Sequence, residues 1–336
     1  MACRNRLLTF PVWTAAIVSI GLLNTASARS PKEHPSVSFD VAAVNNALLS
    51  DLVGPDSRGA ATLRAQILLD RANFSPGQID GSYGKNMRAA ISAFQKSRRL
   101  PENGLVNAET WRILNGDSAT PLQTYIITNE DLIGPFTKIP RTMAAKAKLE
   151  KSNFESPTEA LAEKFHCAPA LLKSLNPQKR FDGAGESLVV PNVVTVSLPP
   201  AASIVVSGTE NGVSVVDSAG NVVARFPASI GSEHDPLPVG RWKVLGVKRD
   251  PFFHYNPQLF WDADSSDSKS KIPPGPNNPV GVVWISLSKP HYGIHGTPEP
   301  SQIGYTQSHG CIRLTNWDAQ RLASAVKPGT QAVLEK

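Results

Sequence analysis

Apolar positions change their period along the chain, and the changes divide it. Leu63, Ile67 and Leu68 recur at i, i+4 and i+5, and Ala89, Ala90, Ala93 and Phe94 repeat that spacing, so both stretches predict amphipathic helices. Between them SPGQIDGSYG carries two strong turn dipeptides, Pro76-Gly77 and Asp80-Gly81. A third helix is predicted from Ala108 to Leu114, N-capped by Asn107. Three short helices with tight glycine turns make a module near the smallest self-sufficient size. Residues 117–156 show little period; Tyr125-Ile126-Ile127-Thr128 predicts a strand, and Pro135 and Pro140 punctuate a loop. SPTEALAEKFHCAPALLKSLNP then predicts two short helices, with Ser156 as a cap, Pro157 at the first helical position and Glu159 three residues after the cap. GESLVVPNV adds a glycine turn and a strand.

Past Pro199-Pro200 the period falls to two. IVVSG, VSVVDSAGNVVARF, GRWKVLGV, VVWISL and QAVLE predict short strands, with a hairpin loop at residues 217–221. One helix is predicted here: Thr315 caps it, Asp318 completes a box-like pattern, and Ala319, Leu322, Ala323 and Val326 form its apolar face. FHYNPQLFWDADSSDSKSKIPPGPNN predicts a long loop, of a length usually functional or disordered.

The ends and the charge refine this picture. Arg4 and Arg6, the uncharged run Leu7 to Leu23, and Ala26-Ser27-Ala28 predict a secretory signal over residues 1–28, cleaved after Ala28. The run is slightly long for a signal, which leaves an uncleaved anchor as the second reading. Cys3 precedes the apolar run, against a lipoprotein. Residues 29–40 read as a polar linker. The net charge is +6, or +4 without Arg4 and Arg6, and is dispersed; it suits a polyanionic or zwitterionic partner and does not argue for nucleic acid. The mature chain keeps Cys167 and Cys311, which an oxidising compartment would allow to pair. Cys167 sits among apolar residues and reads as a small buried hydrophobe, with His166 a structural histidine.

Cys311 has different neighbours. Residues 291–314, HYGIHGTPEPSQIGYTQSHGCIRL, hold three of the seven histidines. If SHGCIRL is extended, His309, Cys311 and Arg313 share one side and Gly310, Ile312 and Leu314 the other. That neighbourhood predicts a thiolate, the attacking form. A thiol nucleophile also needs a proton acceptor that later serves the leaving amine. His309 is two residues away, about 6–7 Å along a strand, which is poor for direct contact. His295 ends the strand-like run GIH and can approach across a ladder, so His295 is the expected base and His309 a supporting group. Gly310 lets a carbonyl approach, and the backbone N–H groups of Gly310 and Cys311 are expected to bind an oxyanion. The rival is a zinc site of His291, His295, His309 and Cys311. In an extended run His291 and His295 stand about 13 Å apart, too far to share an ion. No metal and no cofactor are expected.

Two family resemblances bear on these residues. Phe74, Gly77, Asp80-Gly81, Tyr83-Gly84, Ala90, Phe94-Gln95, Gly104-Leu105 and Thr110-Trp111 make residues 66–114 resemble the peptidoglycan-binding-like three-helix module. His295-Gly296-Thr297 followed by SHGCIRL resembles the L,D-transpeptidase (YkuD-type) catalytic domain, supported by Pro238-Val239-Gly240 and Asn278-Pro279-Val280-Gly281. Leu237 replaces the threonine common before that first turn and leaves the chemistry untouched. The helix pair, Leu175-Asn176-Pro177 and Val190-Pro191 resemble a LysM-like repeat with a stretched first half. The resemblance implies Cys311 as nucleophile and His295 as proton donor and acceptor. It implies that Ser308, His309, Gly310 and Gly296 shape the oxyanion and substrate site, and that Arg313 fixes the loop or meets an acidic group.

The expected architecture is multidomain: signal 1–28, linker 29–40, a three-helix peptidoglycan-binding-like module over 41–116, a short α/β linker module with the LysM-like segment over 117–197, and a mainly β catalytic domain over 198–336 with one helix after the nucleophile. The implied reaction is acyl transfer on peptidoglycan in the periplasm or cell wall. Cys311 releases terminal D-alanine from a tetrapeptide stem, and an amine of a second stem resolves the thioester as a 3→3 cross-link. Water or the lysine of a wall-anchored protein as acceptor, and a non-catalytic wall-binding scaffold, are the alternatives.

Overall fold

The computed structural model describes residues 39–194 and 197–336; the expected signal with Cys3, and most of the linker after it, lie outside the described residues. The helical region contains α1 (Val41–Asn45), α2 (Ala60–Arg71), α3 (Lys85–Ser97) and α4 (Ala108–Leu114). Asn107 caps α4 as its sequence predicts, accepting a hydrogen bond from the Thr110 N–H at 3.0 Å. Phe74, Met87, Ile91, Phe94 and Trp111 fill the core between these helices. Phe74 and Phe94 meet edge to face with centroids 5.6 Å apart.

Residues 117–194 form the expected strands and helices. Strand β1 (Leu122–Ile126) pairs antiparallel with β2 (Ser187–Pro191), and α5 (Met143–Lys146), α6 (Pro157–Lys164) and α7 (Pro169–Leu175) lie between them in sequence. The first strand therefore starts at Leu122, ahead of the Tyr125 expected from its β-branched run. Ser156 caps α6 by accepting from Glu159 N–H at 3.2 Å, while the Glu159 carboxylate takes the Glu155 N–H at 2.6 Å. This layer shares a core with the helical region: Leu63, Ile67 and Ile79 pack with Leu161, Phe165 and Leu172.

The remaining strands are β3 (Ser203–Ser207), β4 (Gly212–Val216), β5 (Val222–Pro227), β6 (Ser229–Ile230), β7 (Gly240–Arg249), β8 (Phe253–Tyr255), β9 (Ser270–Ile272), β10 (Val283–Leu287), β11 (Gly293–His295), β12 (Ile312–Arg313) and β13 (Gln331–Glu335). Nine of them form one mixed sheet in the order β5-β4-β3-β13-β7-β10-β11-β12-β6. Its two parallel contacts are β3 with β13 and β11 with β12. The stretch expected as a plain loop holds the hairpin β8–β9, from which residues 256–269 project.

Helix α8 (Asn316–Ala325) follows β12, capped by Thr315, which accepts from Asp318 N–H at 3.2 Å. The Asp318 carboxylate does not turn back to complete a capping box. It is buried, accepts the Ser75 hydroxyl at 2.8 Å and lies 3.5 Å from Arg321. Arg321 in turn grips Asp70 at the end of α2 through both guanidinium nitrogens, at 3.0 and 2.7 Å. His166 sits beside Asp70 at 3.1 Å and stacks on Trp317 at 5.1 Å, a structural position. Burial pushes the Asp70 carboxyl up, but Arg321 and His166 together hold it well below the usual range.

Arg321→Ala would leave Asp70 buried without its bidentate partner and should cost about 3–5 kcal/mol in urea unfolding. Glu163 behaves oppositely. Burial raises its carboxyl to about 8, and it accepts from Asn316 Nδ2 at 3.0 Å. Because the folded state holds this proton more tightly, Glu163 lowers stability as pH rises from 4.5 toward about 8. Glu163→Gln should flatten that part of the stability–pH curve and unfold at higher urea than the parent at pH 8.

Candidate active site

The parallel pairing of β11 with β12 sets Ile294 opposite Ile312 and His295 opposite Arg313. Cys311 therefore falls beside Gly293, on the same face as His295 and one ladder step away. His295 is buried, and its Nδ1 lies 2.7 Å from the Gly296 carbonyl. A carbonyl only accepts, so Nδ1 carries the proton and the Nε2 lone pair is free. Trp284 stacks on the imidazole at 5.3 Å. Burial, with Arg313 adding to it, brings His295 down to about 4 against the Gly296 bond, so the ring is neutral at neutral pH.

Cys311 is half-buried. Its thiol donates to the His291 carbonyl at 3.7 Å, and the Gly293 N–H faces the sulfur. Burial raises the thiol above its ordinary value, although Gly293 and Arg313 pull it down. The expectation of a resting thiolate is thus corrected: desolvating a sulfur anion outweighs one guanidinium shared with a histidine. Among the described residues no hydrogen bond joins Cys311 to His295. Cys167 is fully buried with its thiol pushed up to about 12, and neither cysteine is in a disulfide.

The segment SHGCIRL is not extended throughout. Gly310 has φ +94°, and a Cβ there would stand 2.9 Å from the Tyr292 ring, so the backbone turns before Cys311 and the strand begins at Ile312. The buried Ser308 hydroxyl donates to the Cys311 carbonyl at 2.5 Å, and Ser308 N–H donates to Gly231 at 3.1 Å. Ser308 is thereby committed to the turn. Gly296 holds His295 through its carbonyl, and a Cβ on it would come within 2.1 Å of Asn316 Oδ1.

His309 meets Arg313, whose guanidinium donates to Nδ1 at 3.3 Å, and Asp262, 2.8 Å from Nε2. Since arginine only donates, the imidazole proton sits on Nε2 and is given to Asp262. Phe260 and Trp261 pack on His309 at 5.1 and 5.9 Å, and Trp261 also stacks on His234 at 4.4 Å. The projection from β8–β9 therefore closes against the turn that carries His309 and Cys311. Asp262, Trp261, Trp284 and Tyr292 were not foreseen from the sequence; the aromatic richness of the long loop signals Trp261, whereas Trp284 and Tyr292 lie outside that loop. No group of three or more His, Cys, Asp or Glu suited to a metal occurs among the described residues.

Residues 201–334 match the L,D-transpeptidase catalytic domain family, and residues 58–114 a "Putative peptidoglycan binding domain". Over 178 residues the chain is 29% identical to the "Putative L,D-transpeptidase YkuD" of Bacillus subtilis, covering 53% of this chain and 92% of that one. The protein of the same name from Bacillus licheniformis is 30% identical over 176 residues, covering 52% and 90%. The "Probable L,D-transpeptidase ErfK/SrfK" of Salmonella typhimurium is 28% identical over 184 residues, covering 53% and 59%. These matches are longer than residues 201–334 and so reach into the layer before the catalytic sheet. The chain belongs to the L,D-transpeptidase family. It is an acyltransferase that works on peptidoglycan, outside the cytoplasm.

Iodoacetamide should label Cys311 slowly at pH 7 and faster only as pH passes the ordinary thiol range, and should label Cys167 only after denaturation. Fast labelling of Cys311 at pH 6 would show a resting thiolate instead.

Proposed function

We propose that Cys311 and His295 act as a neutral thiol–imidazole pair that ionises only as it reacts. The observation that carries this reading is the lock of His295 Nδ1 on Gly296, which leaves Nε2 as the acceptor on the face that Cys311 shares. Sulfur attacks the carbonyl joining residue three of a tetrapeptide stem to D-alanine, and the thiol proton passes to Nε2. Backbone N–H groups at Gly310 and Cys311 meet the oxyanion. The C–N bond breaks, Nε2 returns the proton to the leaving D-alanine amine, and a thioester remains on Cys311. The side-chain amine of a second stem attacks the thioester, gives its proton to Nε2, and leaves a 3→3 cross-link with the thiol restored.

Arg313 and His309 border this path. Arg313 holds His309, and Asp262 holds it from the closing loop, so stem peptide must displace or pass under residues 256–269. The three segments 41–116, 117–197 and 198–336 serve one reaction after export directed by residues 1–28. The helical module raises the local concentration of stems at the site.

The purified protein, incubated with a disaccharide-tetrapeptide, should give a dimer lacking one D-alanine by mass spectrometry. Cys311→Ser should lose turnover by at least about 1,000-fold with the thermal midpoint little changed, and His295→Ala by about 100- to 10,000-fold. A monomeric tripeptide as sole product would make water the acceptor, and a lysine-linked adduct would make it a wall protein. Full turnover by Cys311→Ser would sink the mechanism. Because His295 must be neutral to accept a proton, kcat/KM should hold down to pH 5 and fall as pH drops through about 4.

A further inference from the structure

Residues 296–311 join β11 to β12 and carry Cys311, with one short 3-10 turn at Pro300–Gln302 as their regular structure. The catalytic sheet secures one side of this loop: the Ser229 hydroxyl accepts from Gly304 N–H at 3.1 Å, and Ser308 is tied to Gly231. The other side rests on the first turn of α3, inside the stretch that matches a peptidoglycan binding domain. Asn86 Nδ2 donates to the Ile303 carbonyl at 2.8 Å, a buried bond. Gly304, at φ +82°, comes so close that a Cβ there would lie 2.3 Å from Asn86 Oδ1. The Lys85 ammonium stands 4.5 Å from the centre of the Tyr305 ring.

Helix α3 has a further need that this loop meets. Its N-cap, Gly84, has no side chain to accept the orphan N–H groups of the first turn. The Tyr305 hydroxyl faces the Lys85 backbone N–H, and a Cβ on Gly84 would stand 2.7 Å from that hydroxyl. The loop thus stands where a capping side chain would, and the helix fixes the loop's backbone through Asn86.

A tether requires none of this. Linking a binding module to a catalytic domain raises the local concentration of substrate whatever face it presents. Contact with the nucleophile's own loop has another consequence, because small displacements of an attacking group cost rate steeply. We propose that the first turn of α3 is part of the catalytic scaffold. Asn86 is a positioning residue that sets the nucleophile's loop through the Ile303 carbonyl, with Tyr305 clamped against the helix end. The module then governs turnover as well as capture. This rests on the reading of Cys311 as nucleophile.

The test uses the full chain and a soluble disaccharide-tetrapeptide, for which wall capture is irrelevant. Asn86→Ala and the near-isosteric Asn86→Asp, which cannot donate to Ile303, should each lower kcat about ten-fold. KM should stay within about two-fold, sacculus binding should be unchanged, and the pH profile of Cys311 alkylation should shift. Tyr305→Phe should give a smaller fall in kcat in the same direction. If Asn86→Ala does not fold, Asn86→Asp and Tyr305→Phe decide. A lower thermal midpoint with kcat intact would make the contact merely structural and overturn the proposal. So would a loss seen on sacculi and absent on the soluble substrate. Cys311→Ser run alongside separates the two readings: turnover by that variant defeats the mechanism, whereas its inactivity beside normal Asn86 variants defeats only this proposal.

Discussion

Asp70 is buried, and a buried carboxylate persists only beside compensating charge. Its partners are Arg321, on α8 after β12, and His166, between α6 and α7. Three segments distant in sequence must therefore assemble together to bury that charge. Helix α8 matters most, because β12 runs into it through Leu314 and Thr315. Whatever fixes Arg321 on Asp70 also fixes the strand that ends the turn carrying Cys311.

The same low dielectric that makes this ion pair strong suppresses charge at the site. Burial raises the Cys311 thiol and lowers the His295 imidazole, so the pair rests uncharged. Trp284 stacks on His295, and Phe260 and Trp261 pack on His309, so aromatic rings flank both imidazoles. Arg313 opposes the uncharged state on the thiol side and reinforces it on the imidazole side.

Accessory segments are usually read as addresses for a catalytic domain. Here they also brace it. Asn86 of the helical region holds the loop before Cys311, Ser152 accepts and donates backbone bonds with Pro274 and Asn277, and Asn277 donates to Glu159 at 2.9 Å. The loop ends on both sides of the site are thus backed by parts of the chain that carry none of the chemistry.

The sequence by itself determined much of the local structure and the family to which the chain belongs. The helix periods, the caps at Asn107, Ser156 and Thr315 and the switch to alternating strands are each written within a few residues, where backbone and side-chain preferences act. Tertiary structure decided what depends on partners far along the chain. Asp318 abandons a capping box for Ser75, Asp262 reaches His309, Tyr305 meets the uncapped end of α3, and Cys311 is left protonated rather than ionised. Burial and long-range pairing set those outcomes, because desolvation and Coulomb energies depend on three-dimensional surroundings that residue order alone does not contain.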